Sequence, residues 1–345
     1  MTNRWFWGLF LLSACGGGGA GAPDSGGAPP DADTRPRPGK RSDIAGVAAT
    51  DGTVVVFGGD NGPVVNQQPS PLFIEDTWVY EPGGGWTEVT AAVRPGARGR
   101  YGVGHDPNND RMVLFGGRYR PPNMAGGNYT LYNDLWAFDF GARTWSERHD
   151  GSGTAPPARY FPAVAYDRAN DHVIVFGGGT NVSAFSLTPV GDLWSYDGNA
   201  WSEVTQLGTP PSLRLFVGYL YDPVRNRLVV HGGNVDFVSA SLADLYAFDI
   251  TSSTWSLLHD GTGTAPSGRF SAMMQYDATN DRYLLFGGHA DQGYENDVWA
   301  FDPNQGTWTQ ARDGDNFTGR PLGCLNNSAE LPADYVDQDL SAPQP

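Results

Sequence analysis

The chain has 345 residues, a formal net charge of −16, 47 Gly and 26 Pro. An acidic protein lacks the cationic footprint that sequence-independent nucleic-acid binding needs, so no nucleic-acid partner is expected. Two cysteines, Cys15 and Cys324, cannot build a disulfide framework. Glycine and proline set between alternating apolar runs are the composition of short strands and turns, not of disorder.

Residues 1–14 carry one cation, Arg4, then the apolar run WFWGLFLL, then small residues. The run is too short to span a bilayer as a helix, and its order of charge, apolar core and small residues reads as a secretory signal. Leu12-Ser13-Ala14-Cys15 resembles the lipobox of bacterial lipoproteins. The resemblance implies cleavage before Cys15, lipidation of its sulfur, and membrane contact through that anchor only. Gly16 rather than Asp after the cysteine implies sorting to the outer membrane. Residues 15–40 have no apolar periodicity and read as a flexible Gly/Pro tether.

A repeat fills the next segment. VVVFGG at Val54–Gly59 returns as MVLFGG at Met112, VIVFGG at Val173, LVVHGG at Leu228 and YLLFGG at Tyr283. Each is followed by Asp-x-aromatic-x-aromatic, starting at Asp76, Asp134, Asp192, Asp244 and Asp297, and then by Trp86, Trp145, Trp201, Trp255 or Trp308. Each unit starts with an arginine (Arg41, Arg98, Arg159, Arg214, Arg269) and a run of alternating small apolar residues. Turns rich in Asp, Asn and Pro then connect to the glycine strand at Asp106, Asp167, Asp222 and Asp277, with Asp51-Gly52 in the first unit.

The pattern predicts an all-β protein with four antiparallel strands per unit and aromatics at period two on half-buried sheets. A lone sheet of this kind has two apolar faces; packing copies around a ring covers them, which makes a β-propeller. The ordered Arg, Gly-Gly, Asp-x-Trp and Trp signals closely resemble the kelch repeat, the unit of the galactose-oxidase central domain, over about residues 41–311. Departures are His231 before the glycines, Tyr246 in place of Trp, and a period longer than the usual ~50 residues. Five complete repeats are present within a propeller domain spanning 41–327, followed by a tail at 328–345. After Trp308 the stretch ARDGDNFTGR imitates the earlier linkers and delivers Arg320, so residues 321–327 suit the inner strand of a partial sixth blade. Either five blades close alone or this strand caps the ring.

No catalytic constellation emerges. The six histidines show no ligand spacing, and no nucleophile elbow, Walker loop or EF-hand loop occurs. No metal and no cofactor are expected, and Cys324 is expected to be a buried, inert thiol. Aspartates recurring in every unit read as structural. Two features remain as candidates. By resemblance to kelch proteins that capture acidic peptides, Arg41, Arg98, Arg159, Arg214, Arg269 and Arg320 would line one mouth of the channel; alternatively each pairs with a neighbouring blade's Asp or backbone. The variable loops after each Gly-Gly carry Phe73, Tyr119, Tyr129, Tyr132, Phe185, Phe237 and Tyr294, with Tyr119, Tyr129, Phe185 and Tyr294 expected to contact ligand. The resulting expectation is a monomeric, lipid-anchored envelope protein that binds a protein or glycan partner. The alternatives are a carbohydrate-active enzyme with its site at the propeller mouth, and a structural envelope component.

Overall fold

The computed structural model describes residues 36–314, apart from 63, 66–67, 70–71, 123–126, 184–186, 237–238 and 292. The signal, most of the tether, Cys15, Phe185, Phe237, Arg320 and Cys324 therefore lie outside the described residues. Within them there are strands and turns and no helix.

Five antiparallel sheets follow one another along the chain, and each is one sequence repeat. Blade 1 is Gly46–Ala48, Val54–Asp60, Phe73–Glu81 and Gly85–Val89. Blade 2 is Gly102–Asp106, Arg111–Phe115, Leu135–Asp139 and Thr144–His149. Blade 3 is Ala163–Asp167, His172–Phe176, Leu193–Tyr196 and Trp201–Glu203. Blade 4 is Gly218–Asp222, Arg227–His231, Leu245–Asp249 and Thr254–His259, with Leu207–Gly208 added in parallel at its outer edge. Blade 5 is Met273–Asp277, Arg282–Ala290, Gly293–Asp302 and Thr307–Arg312. The first strands of successive blades pack on one another, which makes them the innermost.

Alternation along the second strand decides which blade each side chain meets. Val55 and Phe57 pack against Met112, Leu114, Phe138 and Trp145 of blade 2, whereas Val113 and Phe115 join Val173, Val175 and Trp201 of blade 3. The residue before Gly-Gly meets the tryptophan of the following blade each time. Ring centroids are 5.2 Å apart for Phe57 and Trp145, 5.3 Å for Phe115 and Trp201, 4.8 Å for Phe176 and Trp255, and 5.7 Å for His231 and Trp308. Burying one such aromatic stabilises by about 1.5–3 kcal/mol, so these seams hold the assembly.

The glycine doublets are required by close approach and by backbone sign. Gly116 and Gly232 have φ of 70° and 63°, and a Cβ there would lie 2.7 Å and 2.3 Å from the carbonyl oxygens of Arg159 and Arg269 in the next blade. The second glycine donates its N–H to that same carbonyl: Gly59 to Arg98 at 2.9 Å, Gly117 to Arg159 at 2.8 Å, Gly233 to Arg269 at 2.9 Å. The strand-linking turns use the expected chemistry. Asp106 accepts the amides of Asn108 and Asn109 at 3.0 Å, and Asp110, Asp171, Asn226 and Asp281 occupy the left-handed region that Asn and Asp tolerate.

Candidate functional site

The five arginines that open the repeats do not line a ligand mouth. Each is buried and fully engaged within its own blade. Arg159 shows the pattern: its Nε donates to Pro157 O at 2.9 Å, Nη1 to Gly177 O at 2.9 Å, and Nη1 and Nη2 to the two carboxylate oxygens of Asp192 at 2.7 Å each. Arg41 with Asp76, Arg98 with Asp134, Arg214 with Asp244 and Arg269 with Asp297 repeat it. The partner is the blade's own third-strand aspartate rather than a neighbour's. The same carboxylate accepts the indole N–H two residues on, from Trp78, Trp136, Trp194 and Trp299 at 2.7–2.8 Å. In blade 4 Tyr246 replaces that indole, and Ser212 Oγ accepts from Arg214 at 2.9 Å. The forked guanidinium suits this two-point grip on a carboxylate.

The asymmetry lies two residues further on. The second residue after each arginine is Asp43, Arg100, Phe161, Phe216 or Ser271, and all five have φ between 52° and 62°. Arg100 N–H donates to Asp43 O at 2.8 Å, Phe161 N–H to Arg100 O at 2.6 Å, and Ser271 N–H to Phe216 O at 2.7 Å. One repeated backbone position thus presents four kinds of side chain around one mouth, with phenylalanine twice. The variation stands in the sequence beside the constant arginines, but a position that changes from repeat to repeat gives no recurrence signal.

The mouth is uneven in charge. Arg100 Nε donates to Asp43 Oδ2 at 2.6 Å, and Arg118, the residue after the second Gly-Gly, lies 3.8 Å from the same oxygen. The Arg118 guanidinium sits 3.9 Å over the Tyr129 ring, and Arg120 approaches that ring at 4.5 Å. Phe73 closes the cluster, 6.0 Å from Tyr119 and 6.2 Å from Tyr129. Arg118 and Arg120 are 8% and 3% exposed, and among the described residues the buried Nε of each has no hydrogen-bond partner. Burial first, and then the Arg100 charge, pushes Arg118 down to about 10. Beside this cationic side, the Arg100 guanidinium lies 4.9 Å over the Phe161 ring, which stands edge-on to Phe216 at 4.8 Å, with Phe270 5.6 Å beyond.

Beneath the mouth the channel is filled. Tyr219 of blade 4 hydrogen-bonds the N–H and C=O of Val103 in blade 2, at 3.1 Å and 3.0 Å. Tyr101, Phe161, Phe216 and Tyr219 enclose a space of about 20 Å³, room for one water. The mouth is a shallow bowl and not a tunnel. Of the expected contact aromatics, Tyr119 and Tyr129 gather at this cluster. Tyr294 lies apart on blade 5, 4.2 Å from His289. Among the described residues no group of three His, Cys, Asp or Glu is arranged to hold a metal ion.

The comparisons with known proteins agree with this architecture. The profile of the KLHDC2/KLHL20/DRC7 Kelch-repeats domain matches residues 30–217 and 191–324. The chain is 28% identical over 284 residues to the leucine-zipper-like transcriptional regulator 1 homolog of Drosophila melanogaster, covering 78% of this chain and 26% of that protein. It is 25% identical over 270 residues to acyl-CoA-binding domain-containing protein 5 of Arabidopsis thaliana, covering 76% and 39%. It is 26% identical over 236 residues to kelch repeat-containing protein 2 of Saccharomyces cerevisiae, covering 64% and 25%. The chain thus spans between a quarter and two-fifths of the length of these relatives. With the Arg–Asp frame and the glycine doublets repeated in all five sheets, and an interblade tryptophan at four seams, the chain belongs to the kelch-repeat β-propeller family.

Proposed function

We propose that this propeller is a protein-binding module whose bowl receives an anionic group of the partner, an Asp or Glu side chain or a terminal carboxylate. The observation that carries the reading is the pair of buried Nε donors on Arg118 and Arg120, unpartnered beside Tyr129 and next to a lining of Phe161 and Phe216. A carboxylate entering there gains charge-assisted hydrogen bonds in a poorly hydrated site, and an adjacent apolar side chain gains the phenylalanines. Two cationic donors select for charge over neutral hydroxyls, so the proposal favours an acidic peptide over a glycan. The test is fluorescence anisotropy with labelled octapeptide pools, one rich in Glu and one rich in Lys. The Glu pool is expected to bind preferentially, more weakly at high salt, and at least ~10-fold more weakly to an Arg118→Ala/Arg120→Ala variant. Equal binding of both pools, or unchanged affinity in the variant, would refute it.

The envelope location belongs to the same proposal and rests on the LSAC stretch alone. A lipidated Cys15 would hold the bowl off an outer-membrane surface on the 16–40 tether. Replacing Cys15 with Ser is then expected to move the protein from the membrane fraction to the soluble one and to abolish palmitate incorporation. An unlabelled wild-type protein would remove this part and leave the bowl untouched.

A further inference from the structure

Blades 1–2, 2–3, 3–4 and 4–5 share four apolar cores. Among the described residues, the trailing face of blade 5 lacks the cover that its counterparts have. Tyr283 and Leu285 point into the core shared with blade 4, so Leu284 and Phe286 point the other way. Phe286 is 42% exposed, whereas Phe57 and Phe115 are 0%, Phe176 is 4% and His231 is 1%. Leu284 is half-buried where Val55, Val113, Ile174 and Val229 are buried. Val298 is half-buried where Thr77, Leu135, Leu193 and Leu245 are buried. The deficit therefore runs across two adjacent strands and follows blade-to-blade positions. On the other side of the gap, Trp86 of blade 1 is half-buried and packs on Tyr80 of its own blade, while the four other repeat tryptophans are buried.

We infer that residues 320–327 of this chain cover this face as an added inner strand, with Leu325 seated against blade 5. The spacing supports the register. Arg320 follows Trp308 by 12 residues, as Arg98 follows Trp86. The family match also continues to residue 324, beyond the last described strand. In blades 2 to 5 the fifth residue after the arginine packs toward the blade before it: Val103, Val164, Tyr219 and Met274. Leu325 holds that place after Arg320. In that register the Arg320 carbonyl would accept the Gly288 N–H, as Arg98, Arg159 and Arg269 accept from Gly59, Gly117 and Gly233.

Hydrogen exchange on the full chain, read by mass spectrometry, tests this. Amides of 320–327 are expected to exchange at least ~100-fold more slowly than an unstructured peptide, and Leu325→Asp is expected to abolish that protection. Exchange of 320–327 at the unstructured rate in the wild-type chain would overturn the inference. So would sedimentation as a dimer that persists in Leu325→Asp, which would assign the face to a second copy of the chain.

Discussion

Arg159→Met is expected to destabilise the propeller by about 3–5 kcal/mol, the cost of removing one partner from a buried ion pair. Arg159 is fully buried, and its guanidinium supplies two hydrogen bonds to Asp192 and one to Gly177 O. Without it the carboxylate keeps the Trp194 Nε1 donor at 2.7 Å, and the Gly177 carbonyl loses its charged donor. Burial alone would raise the Asp192 carboxyl, yet the Arg159 hydrogen bonds and charge outweigh it and hold it below the usual range. Its contribution to stability is therefore complete above the unfolded value near 3.9 and is lost as pH falls through the lower folded value. Replacing both partners, Arg159→Met with Asp192→Leu, is expected to recover a substantial part of the loss, because no charge is then stranded. Urea unfolding of the two variants checks both statements. A loss under about 1 kcal/mol for the single variant would show that the arginine is not part of the frame, and would return it to the list of ligand groups.

His231→Phe is expected to do the opposite and stabilise the protein by about 1–3 kcal/mol at neutral pH, the penalty of burying polar atoms that find no partner. His231 stands where the other repeats have phenylalanine, is 1% exposed, and neither ring nitrogen has a well-formed hydrogen bond. Burial first, and then the charges of Arg269 and Arg214, pushes it down to about 3. The unfolded chain binds this proton near 6.5, so the neutral ring's contribution is intact above that pH and is lost as pH falls toward 3. The slope is at most about 1.4 kcal/mol per pH unit, or about 2 kcal/mol between pH 7 and pH 5. His289, pushed down to about 4 by burial, adds to the acid sensitivity in the same direction and stays in the variant. Urea midpoints at pH 7 and pH 5 should therefore diverge further between wild type and His231→Phe at the lower pH. A gap that does not widen would mean that His231 does not titrate on unfolding.

The repeated features were legible early because each blade meets nearly the same neighbours. VFGG, the aromatic third strand and the tryptophan recur because each seam needs an aromatic pair and a glycine too small to obstruct the next chain crossing. The arginines are equally visible, but two tasks fit them, lining a mouth or pairing internally. Recurrence alone cannot tell a residue facing a common mouth from one facing a common partner, and the partner carboxylate lies 28–36 residues downstream. Arg100, Arg118 and Arg120 fell outside the repeated set and so escaped notice.

The amino-acid order by itself determined the sheet composition, the number of full blades and the family, because those depend on alternation, turn chemistry and spacing, which are local. Only the tertiary structure decided which charges are spent inside the frame and which face the bowl. A guanidinium becomes a ligand donor or an internal strut according to what stands within 3 Å of it, and that distance is set by how whole blades pack.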